Sequence, residues 1–189
     1  MTRKIDHDID PLFLRRWSPR AMSGVALPCE ELLRLFEAAR WAPSSGNNQP
    51  WRFVYGLAGT PAFAKLFALL AEGNKPWCEK AGALIVVASK NLGYKDQLAR
   101  THSFDTGAAW MSLALQGTLS GLVVHGMEGF DYERAAQAIH LPKDHTVECM
   151  VAVGYPGRLE DLPERYRARE QPNDRKPISE LISEEVFPE

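Results

Sequence analysis

The sequence lacks the signatures of several common enzyme classes. Its 189 residues contain no GxGxxG dinucleotide motif, no GxxxxGK[ST] phosphate loop, no HExxH zinc motif and no GxSxG nucleophile elbow. The five histidines are scattered along the chain, and none pairs with another at the spacing of helical metal ligands. We therefore expect no protein-bound catalytic metal.

The chain also has few cysteines, a small net charge and no long apolar run. The cysteines, Cys29, Cys78 and Cys149, are odd in number and widely spaced, which favours a reducing compartment over a disulfide framework or a zinc knuckle. With 22 basic and 24 acidic residues, the net charge of −2 is unlike that of a nucleic-acid binder. Residues 1–10 lack the apolar core of a secretory signal, and the apolar stretch at 81–89 falls short of the roughly 20 residues of a membrane span. We predict a cytoplasmic protein with no nucleic-acid and no membrane partner.

Periodicity and capping residues predict helices first and then strands separated by helices. Helices are expected over residues 11–17, 28–42, 62–71, 97–120, 132–139 and 178–182, and strands over 51–55, 83–88, 122–125 and 146–153. The helix over 97–120 is rich in Ala, Leu and Met, so burial nearly all round is expected for it. The order argues for an α/β sandwich around a central sheet. We expect a single domain over 1–189, in which residues from about 158 onward form a C-terminal arm.

A basic turn follows the first predicted helix. Residues 15–20 read Arg-Arg-Trp-Ser-Pro-Arg. Arginine forks match phosphate oxygens, and a serine hydroxyl can add a further hydrogen bond. The alternative is a solvated basic turn without a ligand. Residues 174–177, Asp-Arg-Lys-Pro, are a second basic stretch that alone indicates an exposed charge run.

A polar segment lies between two tryptophans and two prolines. Residues 41–51 read Trp-Ala-Pro-Ser-Ser-Gly-Asn-Asn-Gln-Pro-Trp. The prolines limit the entropy that this polar loop loses on ordering. A rigid array of hydroxyl and amide groups suits the edge of a heterocycle, which offers both donors and acceptors. The alternative is a well-capped turn between a helix and a strand.

Together these stretches resemble the nitroreductase family. Residues 16–20 are similar to the family's Arg-Arg-Ser-x-Arg flavin motif, and residues 42–51 match its Ala-Pro-Ser-Ser-x-Asn-x-Gln-Pro-Trp almost residue for residue. Residues 175–177 resemble its C-terminal Arg-Lys-Pro. Residues 121–122 and 126–130 are similar to the strand and loop that pass the flavin, and residues 155–157 to the Gly-Tyr-Pro that ends the last core strand. The resemblance runs in the right order over nearly the whole chain.

The resemblance implies an α+β fold, a three-layer α/β/α sandwich with a central mixed, mainly antiparallel sheet. Two subunits would intertwine as a homodimer and bury two FMN sites at their interface. Carried over by position, the cofactor-binding residues are Arg16, Trp17, Ser18, Arg20, Pro43, Ser44, Ser45, Asn47, Gln49, Met127, Glu128, Gly129 and Arg175.

The resemblance also implies a role for each group of residues. Arg16 and Ser18 would lie near the FMN phosphate and ribityl chain, Arg175 would return to the phosphate, and Arg20 would lie near the N1–O2 edge of the flavin ring. The turn around Ser44 would come from the other subunit. The backbone of residues 128–129 would approach flavin N5.

The implied function is that of an FMN-dependent oxidoreductase. Hydride would pass from NAD(P)H through flavin N5 to a small organic acceptor, such as a nitroaromatic or a quinone, by a ping-pong mechanism. Because the flavin carries the chemistry, no catalytic side chain is expected. One alternative is a flavin-binding protein for storage or sensing with little turnover, and another is an interaction domain without flavin. The natural acceptor, the reaction type and the choice of NADH or NADPH stay open at this point.

Overall fold

A computed structural model describes residues 3–188 of the chain. The described helices are α1 (Pro11–Arg15), α2 (Cys29–Arg40), α3 (Pro61–Phe67), α4 (Lys75–Cys78), α5 (His102–Leu119), α6 (Tyr132–Ala138) and α7 (Glu164–Arg167). The strands are β1 (Trp51–Leu57), β2 (Ala83–Lys90), β3 (Val123–Met127) and β4 (His145–Gly154). Short 3₁₀ turns cover Ser45–Asn47, Tyr94–Asp96, Leu159–Asp161 and Ile178–Glu180.

The strands form a single sheet in the order β1-β2-β4-β3, and its three pairings within residues 3–188 are all antiparallel. The mainly antiparallel sheet is thus confirmed, whereas the parallel pairing of a mixed sheet is not found in the described chain. The connections from β1 to β2 and from β3 to β4 leave and re-enter the sheet at the same end. Neighbouring strands therefore run in opposite directions.

Helices cover both faces of the sheet. Along β2, Ile85 and Val87 point into one apolar core, which α2 and α5 complete. Leu84 and Val86 point into the other core, which contains residues of α3, α4 and α6. Because successive strand residues face opposite sides, a strand covered on both faces is apolar throughout. The three-layer α/β/α sandwich is confirmed.

Three of the helices begin at side-chain caps, as their sequences indicate. The carboxylates of Asp10 and Asp131 accept hydrogen bonds from the backbone N–H groups of Leu12 and Arg134 at 2.7 and 2.9 Å. The Thr60 hydroxyl accepts from the N–H of residue 63 at 3.2 Å. These bonds satisfy backbone donors that a first helical turn otherwise leaves unpaired.

Helix α5 is not buried all round within a single chain. Ala109, Leu113 and Gly117 are fully buried against the sheet and α2. On another side, apolar residues at helical spacing form what we call the α5 seam, which comprises Phe104, Ala108, Met111, Leu115 and Leu119. Phe104 is 80% exposed and Leu119 is 60% exposed. The expectation of burial nearly all round is therefore wrong for one chain, because Phe104 and Leu119 are exposed there and the seam residues between them are only half-buried.

The C-terminal arm, residues 158–188, lies over its own chain for much of its length. Glu170 accepts hydrogen bonds from the backbone N–H groups of Arg20 and Ala21 at 2.6 and 2.8 Å, and the Tyr166 hydroxyl donates to the carbonyl of Gly73 at 2.6 Å. The arm thereby lies against the basic turn that follows α1. Within residues 3–188, no helix combines the length and the apolar character needed to cross a membrane.

Candidate functional site

Arginine side chains dominate the lining of a cavity of about 690 Å³ between the basic turn and the C-terminal arm. We call it the arginine cavity, and its cationic residues are Arg3, Arg16, Arg20, Arg169 and Arg175. Trp17 and Ser18 of the predicted motif also line it, together with His125 and Gly126 of β3. Within residues 3–188, its lining includes no Asp or Glu. A cavity of this charge favours an anionic ligand.

Helix α1 ends at Arg15, two residues before its predicted end at residue 17, and Arg16 follows directly. Its backbone turns extended at this position, with ψ of 118°, and its Nη1 donates to the Ser18 hydroxyl at 3.4 Å. Burial lowers the pKa of Arg16, and the positive charges of Arg3 and Arg175 lower it further. Three guanidinium groups that repel one another are stabilised by a ligand of opposite charge. The sequence-predicted Arg16 and Arg175 are therefore brought together by the fold.

Arg20 enters the cavity from a backbone that the arm holds in place. Glu170 binds the N–H of Arg20, and its second carboxylate oxygen lies 4.0 Å from the Arg20 guanidinium. This carboxylate side chain is only 6% exposed, whereas that of Arg20 is 28% exposed. Glu170 therefore fixes the main chain, and the guanidinium remains on the cavity wall.

His125 of β3 is a wall residue that the sequence did not single out. Its Nδ1 donates to the carbonyl of Pro19 at 2.8 Å, which leaves Nε2 as the unprotonated ring nitrogen of the neutral side chain. The ring packs on Trp77, with centroids 4.5 Å apart. Burial lowers the pKa of His125, and the charges of Arg20 and Arg16 act in the same direction, against the backbone hydrogen bonds that raise it.

The lowered pKa of His125 predicts a loss of stability in mild acid. Because the pKa in the unfolded chain is about 6.5, the unfolded state binds the proton more readily than the folded state does. The stabilisation is complete above that pH and decreases as the pH falls below it. We expect the melting temperature to fall more steeply between about pH 7.5 and about pH 5 for the wild type than for His125→Gln.

The matched control is His7→Gln, because His7 is exposed. Its melting temperature should follow that of the wild type over the same pH range. Parallel curves for wild type and His125→Gln would show that His125 does not resist protonation in the folded protein.

The second predicted motif forms a rigid turn, residues 44–49, which we call the polar turn. Gly46, Asn47 and Gln49 adopt left-handed φ angles of 56°, 55° and 48°. Such angles strain residues other than glycine and persist only where the surroundings impose them. The Ser44 hydroxyl accepts from the Gln49 N–H at 3.0 Å, and the buried Asp105 carboxylate accepts from the Ser45 N–H at 3.1 Å. The turn is thus ordered without a ligand.

One chain does not bring the polar turn to the arginine cavity. Residues 45–48 of the polar turn line a different cavity of about 570 Å³, together with residues 93–94 and 97–101, and the two cavities share no lining residue. Pro43, Ser45 and Asn47 are exposed at the surface, as is Gln49. The two predicted halves of the site lie apart within a single chain, as expected if each site combines two subunits.

Strand β3 ends at Met127, so the predicted segment 127–129 lies at the end of the strand, just beyond the arginine cavity. Met127 is buried in the core, whereas Glu128 and Gly129 are exposed. The Gly129 carbonyl accepts hydrogen bonds from the N–H of Ala71 at 3.0 Å and from the Asn74 side chain at 2.9 Å. In the described chain none of the three lines the arginine cavity, which their neighbours at 125–126 reach instead.

Several lining residues escaped the sequence analysis because they belong to no motif. Arg3 stands alone near the N-terminus, and Arg169, Gln171 and Asn173 lie in a part of the arm that reads as ordinary charged surface. Gly126 belongs to residues 126–130, which carry part of the family resemblance, so the sequence could have indicated it as a site residue. A Cβ at Gly126 would come within 3.0 Å of the Trp110 ring, so the strand and α5 approach closely there.

Comparisons with known proteins identify the family. The family model "Nitroreductase family" matches residues 14–56 and 57–155, which is more than half of the chain. Protein DrgA of Synechocystis sp. is 29% identical over 200 residues, which cover 92% of this chain and 93% of that protein.

Solved structures extend the match to the whole fold. A crystal structure of an oxidoreductase containing FMN is 40% identical, with a TM-score of 0.94 over 98% of this chain and 96% of that one. A nitroreductase family protein from Clostridium difficile 630 shares the fold at 22% identity, with a TM-score of 0.72 over 96% of this chain and 100% of that one. With motifs, sheet order and family model in agreement, the chain belongs to the nitroreductase family.

Proposed function

We propose that the protein is an FMN-dependent oxidoreductase that transfers electrons from NAD(P)H to a small organic acceptor such as a nitroaromatic or a quinone. The observation that carries the proposal is the arginine cavity, whose wall holds five arginines and, within residues 3–188, no carboxylate. The family and the FMN-containing relative support it, since the residues of both flavin motifs are present in order.

The residues of the cavity fit the phosphate end of FMN. The Nη2 atom of Arg3 is buried and has no hydrogen-bond partner among residues 3–188, which is costly unless an acceptor is present. Arg16, Ser18 and Arg175 would hold the phosphate, whose charge offsets their mutual repulsion. Trp17 would cover the ribityl chain.

The remaining side chains would orient the ring. Arg20 places a permanent positive charge on the cavity wall, which favours the more negative state of a bound ligand. The backbone of Glu128 and Gly129, two exposed residues beyond Met127, would face the reacting edge. When bound, FMN supplies the chemistry, because it accepts two electrons from a nicotinamide and passes them to a second substrate.

The proposal includes a homodimer in which each FMN site combines two chains. The polar turn, with Pro43, Ser44, Ser45, Asn47 and Gln49, would come from the partner subunit. Two features support this: the polar turn lies at the surface apart from the arginine cavity, and the α5 seam leaves Phe104 and Leu119 exposed in one chain. Burying an apolar seam of this kind drives association.

The experiment begins with the visible spectrum of the purified protein and continues with anaerobic addition of NADH and of NADPH. The proposal predicts a flavin spectrum that one or both nicotinamides bleach and that a nitroaromatic or a quinone restores. Bound flavin that neither nicotinamide bleaches would support a storage or sensing protein instead. Protein that stays colourless after titration with FMN would contradict the flavin site itself.

A further inference from the structure

The N-terminal segment brings an arginine to the site that belongs to neither flavin motif. Arg3 Nη1 donates to the carbonyl oxygens of Leu14 and Arg16 at 2.7 and 2.8 Å, where α1 ends. Its Nε donates to the carbonyl of Asn173 in the C-terminal arm at 3.1 Å. One guanidinium group thus ties together the N-terminal segment, α1 and the arm.

The third nitrogen of this guanidinium group, Nη2, is not used in these contacts. Arg3 Nη2 is buried and has no hydrogen-bond partner among residues 3–188. Arg3 also lines the arginine cavity with Arg16 and Arg175. Because three of its five N–H donors are used by fixed carbonyl groups, the remaining pair is held in one position rather than free to find water.

The electrostatics of Arg3 indicate an anion rather than a neutral acceptor. Burial lowers the pKa of Arg3, and the charge of Arg175 lowers it further, although Asp174 acts in the opposite sense. Arg3 in turn lowers the pKa of Arg16. Guanidinium groups keep their charge at neutral pH, so this cluster is strained electrostatically until an anion joins it.

We propose that Arg3 is a further phosphate-binding residue of the flavin site. Its Nη2 donates to a phosphate oxygen of FMN, while Nη1 and Nε hold the N-terminal segment on α1 and on the arm. This inference rests on the proposed function. It adds that the N-terminal segment contributes to the preference for FMN over riboflavin, which lacks the phosphate.

The test is the ratio of the dissociation constants of riboflavin and FMN for the flavin-free dimer, measured by fluorescence titration at fixed ionic strength. We expect Arg3→Gln to reduce this ratio by about tenfold, the loss of one charge-assisted hydrogen bond. A damaged fold weakens both ligands alike, so the ratio isolates the phosphate contact. Arg165→Gln is the control, since Arg165 loses the same charge but lies over the Tyr166 ring outside the arginine cavity.

The outcomes separate the two proposals. Wild-type protein that binds neither flavin contradicts the proposed function. Wild-type protein that prefers FMN, with the same preference in Arg3→Gln, contradicts only the role of Arg3. If Arg3→Gln fails to accumulate as folded protein, Arg3→Lys replaces it, because one ammonium group cannot reproduce the guanidinium that binds three carbonyl groups and a phosphate. An undiminished preference in that variant would contradict the role equally.

Discussion

Replacing Arg16 with glutamine is expected to weaken FMN binding by about 100-fold while changing riboflavin binding much less. Arg16 is partly buried in the arginine cavity, beside Ser18 and the cationic neighbours Arg3 and Arg175. A fork that donates two charge-assisted hydrogen bonds to a phosphate contributes about 3 kcal/mol, which corresponds to this factor. Fluorescence titration of the flavin-free protein with both flavins measures it.

The same substitution should not destabilise the protein without flavin. In the folded state, the charge of Arg16 is disfavoured by burial and by its two cationic neighbours, so its removal relieves repulsion. The melting temperature of flavin-free Arg16→Gln should equal or exceed that of the wild type. Arg34→Gln, an exposed arginine of α2, is the control for the lost charge. Equal weakening of FMN and riboflavin would mean that Arg16 does not contact the phosphate.

Charging the α5 seam is expected to produce a monomer that no longer retains FMN. Phe104 and Leu119 are 80% and 60% exposed in one chain, so glutamate at both positions should leave the fold intact. In a dimer that buries the seam, the two carboxylates would lose hydration without a partner, which costs several kcal/mol. The FMN site then loses the polar turn of the partner.

Sedimentation velocity and the flavin-to-protein ratio check this double variant. The control is Val25→Glu, which adds a charge at another apolar residue, 57% exposed, in the loop before α2. That variant should remain dimeric and yellow. A double variant that is monomeric yet binds FMN as tightly as the wild type would show that one chain suffices for the site.

The residues of the candidate site that form local motifs could be predicted from the sequence. Residue types singled out the basic turn after α1 and the polar turn before β1, because arginine, serine and asparagine in short loops can bind polar ligands. Only the family resemblance favoured a flavin site over turns without a ligand. The caps of three helices and the core strands followed from residue chemistry and periodicity in the same way.

What the sequence could not provide depends on tertiary contacts. Arg3 joins the cavity only because α1 and the arm present their carbonyl groups to it, over separations of 13 and 170 residues. His125 reads as one residue of a short strand until Pro19 and Trp77 surround it. The apolar composition of α5 did not reveal which of its residues face their own chain and which remain exposed.

A mixed dimer distinguishes a flavin site built from two chains from one that lies within a single chain. One chain carries Arg16→Gln and the other carries Ser45→Ala with Asn47→Ala, and different affinity tags allow the heterodimer to be purified. If the arginine cavity of one chain faces the polar turn of its partner, one flavin site contains all three substitutions and the other contains none. We predict one FMN per heterodimer, bound with wild-type affinity, although each parent homodimer binds weakly. A heterodimer in which both sites bind as weakly as the parents would show that each site lies within a single chain and would contradict the account.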